Sequence, residues 1–254
     1  MARNSYRKKV DRASEVLAKL DEMLRGMGLL QQRLDLLEYR VADLQAMTLQ
    51  QLGRQILPLD EQFVAVRTPG NWSVIGSEEI RSLIHLAEGT NVHEPGTHNI
   101  LQRLVDEGDI VLDVGAHVGL LTIPLAARVG PEGKIHAFEP IPRSAEALRR
   151  ALLLNGLLDR CILHLAAVSN QTGIAHFYSG DNSMMGSLYS GDERTPYTEV
   201  PVTTLDDAIM PGTQVSLVKI DAEGAEAAVA AGMQRLVRDN PDVTVMAELG
   251  PSHL

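Results

Sequence analysis

Along residues 5–57 apolar side chains recur three and four positions apart, with no proline before Pro58. Val10, Ala13, Leu17, Leu20, Leu24 and Met27 make one stripe; Leu30, Leu34, Leu37, Val41 and Leu44 resume it after a slip at Gly26 and Gly28. That period predicts helix. A three-residue step where four is due overwinds a coiled coil, and two glycines also permit a break. One kinked coiled coil and a helix–turn–helix folded on itself therefore both fit. Either stripe is too narrow to be buried alone and needs a partner. The expectation is a coiled-coil oligomerisation segment over residues 1–58, its 5–57 stretch about 80 Å long if fully helical, that makes the protein a homo-oligomer; a helix packed on its own domain is the alternative.

From residue 59 the pattern changes to short apolar runs. Residues 63–66 and 72–75 read as two strands around the Pro69-Gly70 turn, and 77–87 as a helix capped by Ser77 with Glu79 in its first turn. This lead-in, 59–95, is expected to pack over the mouth of a ligand site, with Trp72 as a packing anchor. Strands then alternate with helices: strands at 110–114, 134–138, 162–165, 215–220 and 243–247, helices at 97–106, 118–129, 143–155 and 225–238. Alternation of this kind predicts an α/β fold, a Rossmann-like doubly wound and mostly parallel sheet, over 96–254. Asn155-Gly156 ends the third helix with a left-handed residue. A further strand pair, 174–178 and 199–202, flanks a polar stretch at 179–198, long enough to be a functional loop over an acceptor.

Candidate chemistry concentrates at strand ends. Val111-Leu112-Asp113-Val114-Gly115-Ala116-His117-Val118-Gly119 is a buried-strand pattern running into a glycine turn at a helix start. Such a turn sets bare backbone N–H groups beside a ligand. A dinucleotide turn needs a second glycine where His117 stands, and a phosphate-cradling loop needs Gly-Lys-Ser/Thr, which is absent. What remains is the turn that holds S-adenosylmethionine. Lys134-Ile135-His136-Ala137-Phe138-Glu139 is a second strand ending in an acid, roughly 20 residues past the turn, where a carboxylate accepts ribose hydroxyls. Pro140 stops that strand.

Composition narrows the partners. The 254 residues carry a net charge of −10, unevenly: residues 1–60 balance at +2 and the rest at −12. An acidic core argues against a nucleic-acid substrate. Cys161 is the one cysteine, at the start of a predicted buried strand, so no disulfide framework exists and a reducing, cytoplasmic compartment is expected. No apolar run approaches the roughly 18 residues of a membrane span, and residues 1–10 are basic without a signal-peptide core.

Several segments together resemble one family. Residues 108–119 resemble the first motif of the FkbM-type S-adenosylmethionine-dependent methyltransferases, and Ala137-Phe138-Glu139-Pro140 resembles their second. Val218-Lys219-Ile220-Asp221-Ala222-Glu223-Gly224-Ala225-Glu226 resembles their most distinctive run. His93-Glu94-Pro95-Gly96-Thr97 is similar to a lead-in, and Gly186-Ser187-Leu188-Tyr189 to a loop motif. The resemblance covers about 60–250, not the N-terminal helices. It implies a class I methyltransferase fold, S-adenosyl-L-methionine as cofactor, and O-methylation of a sugar, polysaccharide or secondary-metabolite hydroxyl. A peripheral place beside a glycan-synthesis complex at the inner membrane face is a further expectation. A sheet of this kind normally continues into an antiparallel hairpin, so the core is expected to extend beyond Leu254.

The resemblance implies cofactor-binding roles for Glu94, Thr97, Asp113, Gly115, Ala116, His117, Gly119, Glu139, Pro140, Ala167 and Asp221. Gly115 and Gly119 take the methionine end, Asp113 orients its ammonium directly or through water, and 166–169 lie by the adenine. His117 replaces the family's more common asparagine; satisfying the helix N-terminus explains it as well as catalysis does. Asp221, at the carboxyl end of the fourth strand, is the leading catalytic candidate. Lys219 shares its face; a lysine in that strand is costly unless paired, and pairing with a carboxylate explains it better than a role as base. Glu248, ending the fifth strand on the same rim, completes the catalytic set. His93, Glu94 and His98 are further base candidates among which the residues do not choose. Asp221 with Glu248 is a thin ligand set for a divalent ion, so no metal is assigned. Glu223 and Glu226 complement a helix dipole without catalytic need. An inert methyltransferase-like scaffold and, behind it, a nicotinamide-dependent oxidoreductase are the alternatives.

Overall fold

The structure, a computed structural model, describes residues 27–28, 30–41, 44, 56–68, 72–76, 94–178 and 197–248. The expected helix at 77–87, His93, the motif at 186–189 and most of the loop at 179–198 lie outside the described residues. The chain divides into two compact units, Met1–Gln45 and Ala46–Leu254. In the first, the described residues are helical.

The second unit is built on a five-stranded, all-parallel sheet. Its strands are β4 (Ile110–Val114), β5 (Lys134–Phe138), β6 (Cys161–His164), β10 (Leu217–Ile220) and β11 (Thr244–Ala247), in the order β11-β10-β4-β5-β6. Strand order reverses between β4 and β10, so the crevice outside their carboxyl ends is the ligand position of such sheets. Alternation sorts the two faces. Val111, Ile135, Ala137 and Leu217 join one core with Leu101, Ile123, Leu125, Leu148 and Leu152 of helices α1 (Pro95–Leu104), α2 (Thr122–Arg128) and α3 (Pro142–Leu154). Leu112, Val114, Phe138, Val218 and Ile220 face the other core, with Leu205, Val229 and Leu236 of α4 (Leu205–Ala208), α5 (Glu226–Ala231) and α6 (Gln234–Asp239). Asp113 and Lys219 are register partners on the first face.

Two small sheets flank this frame. β1 (Ile56–Pro58), β2 (Val64–Arg67) and β3 (Ser73–Gly76) form an antiparallel sheet. β1 corrects the sequence expectation, which ran helix through residue 57. The lead-in strands do not lie over the ligand rim. Asn155, just past α3, donates to the Ser73 carbonyl at 2.6 Å and accepts from the Ser73 N–H at 3.0 Å. That is the far end of a 13-residue helix, roughly 20 Å from its rim end. Half-buried Trp72 packs against the same core, as an anchor should. β8 (Gly173–Tyr178) pairs antiparallel with β9 (Tyr197–Thr203), close to the expected strands, and a two-residue β7 (Ala167–Val168) joins β9 in parallel.

Helix boundaries moved where backbone demanded it. The second core helix starts at Thr122, not 118, because Gly119 sits at φ +88° in the preceding turn. The single helix expected at 225–238 is two. The Asp206 carboxylate caps the N-terminus of α6, accepting from Arg235 N–H and Leu236 N–H at 2.8 Å each. At the break, a Cβ on Gly232 would lie 2.2 Å from the Ser169 carbonyl oxygen. Gly232→Ala is expected to lower stability by more than about 1 kcal/mol in urea denaturation. Gly173→Ala, with nothing within 4 Å of its Cβ, should stay within about 0.5 kcal/mol.

Candidate active site

The glycine turn is rigid because two of its positions admit no side chain. Gly115 has φ +79°, and a Cβ there would come within 1.9 Å of the Asp221 carbonyl oxygen; Gly119 would meet Leu148 at 2.4 Å. The turn lies flat against the end of β10, which explains why β4 and β10 can both deliver side chains to one rim.

The N–H groups of this turn are not bare, which corrects the sequence expectation. Gly115 and Ala116 N–H both donate to the Phe138 carbonyl, at 3.1 and 3.0 Å, and Gly119 N–H donates to the Ala116 carbonyl at 2.9 Å. His117, left-handed at φ +49°, donates its N–H to Glu139 Oε2 at 3.0 Å. Glu139 Oε1 accepts from Ile141 N–H at 2.9 Å. The buried acid at the tip of β5 therefore clamps the turn, and each of its oxygens keeps a lone pair for a further donor. Burial pushes its pKa up to about 7, against the opposing pull of the Ile141 and His117 N–H groups. Pro140 beside it is buried.

Lys219 is enclosed between two carboxylates, 3.3 Å from Asp113 Oδ1 and 3.3 Å from Asp221 Oδ2, and also donates to the Gly115 carbonyl at 3.3 Å. Burial pulls its pKa down, and the charges of Asp113 and Asp221 outweigh that, so it stays above the ordinary lysine value. The other Asp113 oxygen accepts from Thr122 Oγ1 at 2.6 Å. Asp113 is wholly buried. In this structure its carboxylate is held by Lys219 and Thr122. Lys219 is paired with both carboxylates, the reading that the cost of burying a lysine favoured over a role as base. Thr122 was missed: nothing distinguishes a threonine in a helical pattern from its neighbours.

Asp221 is one-quarter exposed and reaches the rim. There Glu94, Asp221 and Glu248 bring carboxylate oxygens within 4.8 Å of one another. Glu248 is fixed by its own N–H, which donates to the Ile220 carbonyl at 2.9 Å. Glu94 precedes α1 at φ 44°. Glu94, His117 and Glu223 are the non-glycine residues with positive φ among the described residues, and all three sit on loops at this rim; strain of this kind gathers at functional sites. Glu226 folds back to accept from Ala222 and Gly224 N–H at 3.0–3.1 Å, consistent with a structural role.

The other expected residues have their own contacts. Thr97 is half-buried in the first turn of α1, and His98 donates its N–H to the Glu94 carbonyl at 2.9 Å. Ala116 packs in the first core and Ala167 against Val200 and Val202 in the small sheet, so neither side chain is offered to a ligand. Cys161 starts β6, its thiol pushed up to about 12 by burial.

A parallel sheet reversing at β4/β10, a glycine turn there and an acid at the tip of β5 define the class I, Rossmann-like methyltransferase fold. Residues 113–253 match the model of the methyltransferase FkbM domain, and the chain belongs to that family. Over 89 residues it is 37% identical to the tRNA wybutosine-synthesizing protein 2 homolog of Rattus norvegicus, covering 35% of this chain and 20% of that protein. The chain thus spans about a fifth of this curated relative's length. It is similar to a SAM-dependent O-methyltransferase from Thermotoga maritima, at 26% identity and TM-score 0.29 over 40% of this chain and 39% of that one. An O-methyltransferase from Bacillus cereus, in complex with SAH, is similar at 16% identity and TM-score 0.34 over 58% and 53%. The family sets the nicotinamide alternative aside.

The residues present fit S-adenosyl-L-methionine. Its ammonium suits the Gly115 carbonyl, and its ribose diol suits the remaining lone pairs of Glu139. Two outcomes follow. Lys219→Met strands the buried Asp113 charge and should destabilise by about 3–5 kcal/mol in urea. Because the Glu139 pKa of about 7 exceeds the ordinary 4.5, the unfolded chain loses this proton first. Stability should therefore fall by about 3 kcal/mol from pH 4.5 to 7 and level off above. Subtracting the urea curves of Glu139→Gln from those of the wild type isolates that slope.

Proposed function

We propose that the chain is an S-adenosylmethionine-dependent O-methyltransferase acting on a hydroxyl of a sugar, polysaccharide or secondary metabolite. The observation that carries this reading is the convergence of Glu94, Asp221 and Glu248 within 4.8 Å at the carboxyl end of the sheet, beside the turn built for the cofactor. The cofactor supplies a methyl group that is already activated. What the protein adds is alignment of the acceptor oxygen and removal of its proton. Asp221, steadied by Lys219, takes that proton, and Glu248 and Glu94 orient the hydroxyl.

The name of the wybutosine-synthesizing relative points to tRNA. The balance of −12 over residues 61–254 speaks against a polyanion at this rim. No helix among the described residues is long and apolar enough to cross a membrane, and one cysteine suits a reducing compartment. The reading therefore places the enzyme in the cytoplasm, where it meets a glycan-building assembly at the inner membrane face.

Calorimetry should show binding of S-adenosylhomocysteine; no binding overturns the enzyme reading in favour of an inert scaffold. With labelled S-adenosylmethionine and a panel of hydroxylated acceptors, Asp221→Asn should lower kcat about 10²–10⁴-fold with the product still bound. An unchanged kcat removes Asp221 as base. Activity lost in EDTA and restored by Mg²⁺ would assign the carboxylate trio to a cation instead.

A further inference from the structure

The helix of the first unit leaves its apolar stripe uncovered. Met27, Leu30, Leu34, Leu37, Val41 and Leu44 are each 52–64% exposed. Their spacing is three, four, three, four, three, which places Met27, Leu34 and Val41 at a and Leu30, Leu37 and Leu44 at d of consecutive heptads. A lone helix with such a stripe is marginal in water.

The flanking positions say what covers it. Gln31 and Glu38 fall at e, Arg33 and Arg40 at g. These are polar, so the apolar seam is only two positions wide per heptad and fits one partner helix, not two or three. In a parallel, in-register pair each g residue faces the e residue five positions later on the other helix, so Arg33 meets Glu38 twice, once on each side. In an antiparallel pair g faces g and e faces e, setting Arg33 against Arg40 and Glu38 against Gln31, with no opposite charge across the seam. Leucine at every d position, with β-branched Val41 at one a position, is in keeping with two parallel strands. Leu36 and Tyr39, at c and f, are exposed as well but lie off the seam.

We propose that residues 27–44 bind the same segment of a second copy of this chain as a parallel, in-register two-stranded coiled coil. The partner is specified by charge complementarity along the seam and needs no other protein.

The 254-residue chain should sediment at twice its 27.7 kDa mass. A 27.7 kDa species at tens of micromolar, as a helix–turn–helix folded on itself would give, overturns the proposal. Leu34→Asp with Leu37→Asp should yield monomer with the fluorescence of Trp72, the one tryptophan, unchanged. Arg33→Glu alone should weaken self-association at least about threefold, and Arg33→Glu with Glu38→Arg should restore it; no recovery overturns the register. Leu30→Cys and Leu44→Cys, each in its own variant, should form interchain disulfides under mild oxidation above the wild-type background set by Cys161. Failure of both to cross-link overturns the parallel arrangement, since only in that arrangement does each end of the segment meet itself.

Discussion

A lysine wholly inside the protein between two carboxylates organises this molecule. Lys219 stands on β10 opposite Asp113 on β4, at the place where the sheet reverses its strand order. Removing the Lys219 and Asp113 charges from water costs several kcal/mol each before compensation, and only close geometry offsets it. The contacts at 3.3 Å to Asp113, Asp221 and the Gly115 carbonyl, with Thr122 on the second Asp113 oxygen, supply that geometry. Hydrophobic side chains would hold two strands together as well. They would not fix which way Asp221 points, and an oriented carboxylate at the rim is what the ion pair adds.

The glycine turn obeys the same logic. Its N–H groups bond to Phe138, Ala116 and Glu139, leaving few donors for a ligand. Such a turn is preorganised: it does not need to rearrange when something binds. It also changes the character of the rim. With donors consumed internally, the groups facing outward are carbonyls and acids, a surface suited to a cation and unsuited to a phosphate. His117 and Glu223 hold left-handed backbone that a glycine would adopt more easily, a sign that tertiary contacts over-determine these loops.

Much of this was legible in the residues. β4, β5, β10 and β11 are mostly apolar, broken by few polar residues such as Asp113 and Lys219, and a parallel sheet followed from strand–helix alternation. Asp221 beside Lys219 on one face followed from the two-residue period, and the pairing of Lys219 from the cost of burying it. Illegible were effects that depend on residues distant in sequence. Asp206 caps a helix from nearly thirty positions away, so the break at Gly232 looked like continuous helix. Ile56–Pro58 is a strand only because β2 offers it a ladder; by itself it continues a helical pattern. Glu94 appeared as one of several lead-in candidates, and only the closure of the fold sets it against Asp221 and Glu248. The bare N–H groups expected of the turn were misjudged because the Phe138 carbonyl that accepts two of them lies on another strand.

Where the three carboxylates stand relative to the transferred methyl decides whether they help or hinder. In the proposed reaction positive charge leaves sulfur and grows on the acceptor oxygen as the new bond forms. Carboxylates beside sulfur would stabilise the ground state more than the transition state, tightening binding without raising the rate. Carboxylates beside the acceptor act in the opposite sense, and take the proton as well. Glu139, the acid nearest the turn, is the one that burial drives toward the neutral form, with a pKa of about 7. Asp221, Glu94 and Glu248 lie together further out on the rim, half-buried or exposed. An acid only partly ionised near pH 7 on the cofactor side and a carboxylate cluster on the open side is the distribution that favours the rate, and it is the physical ground for assigning the cluster to the acceptor rather than to the cofactor.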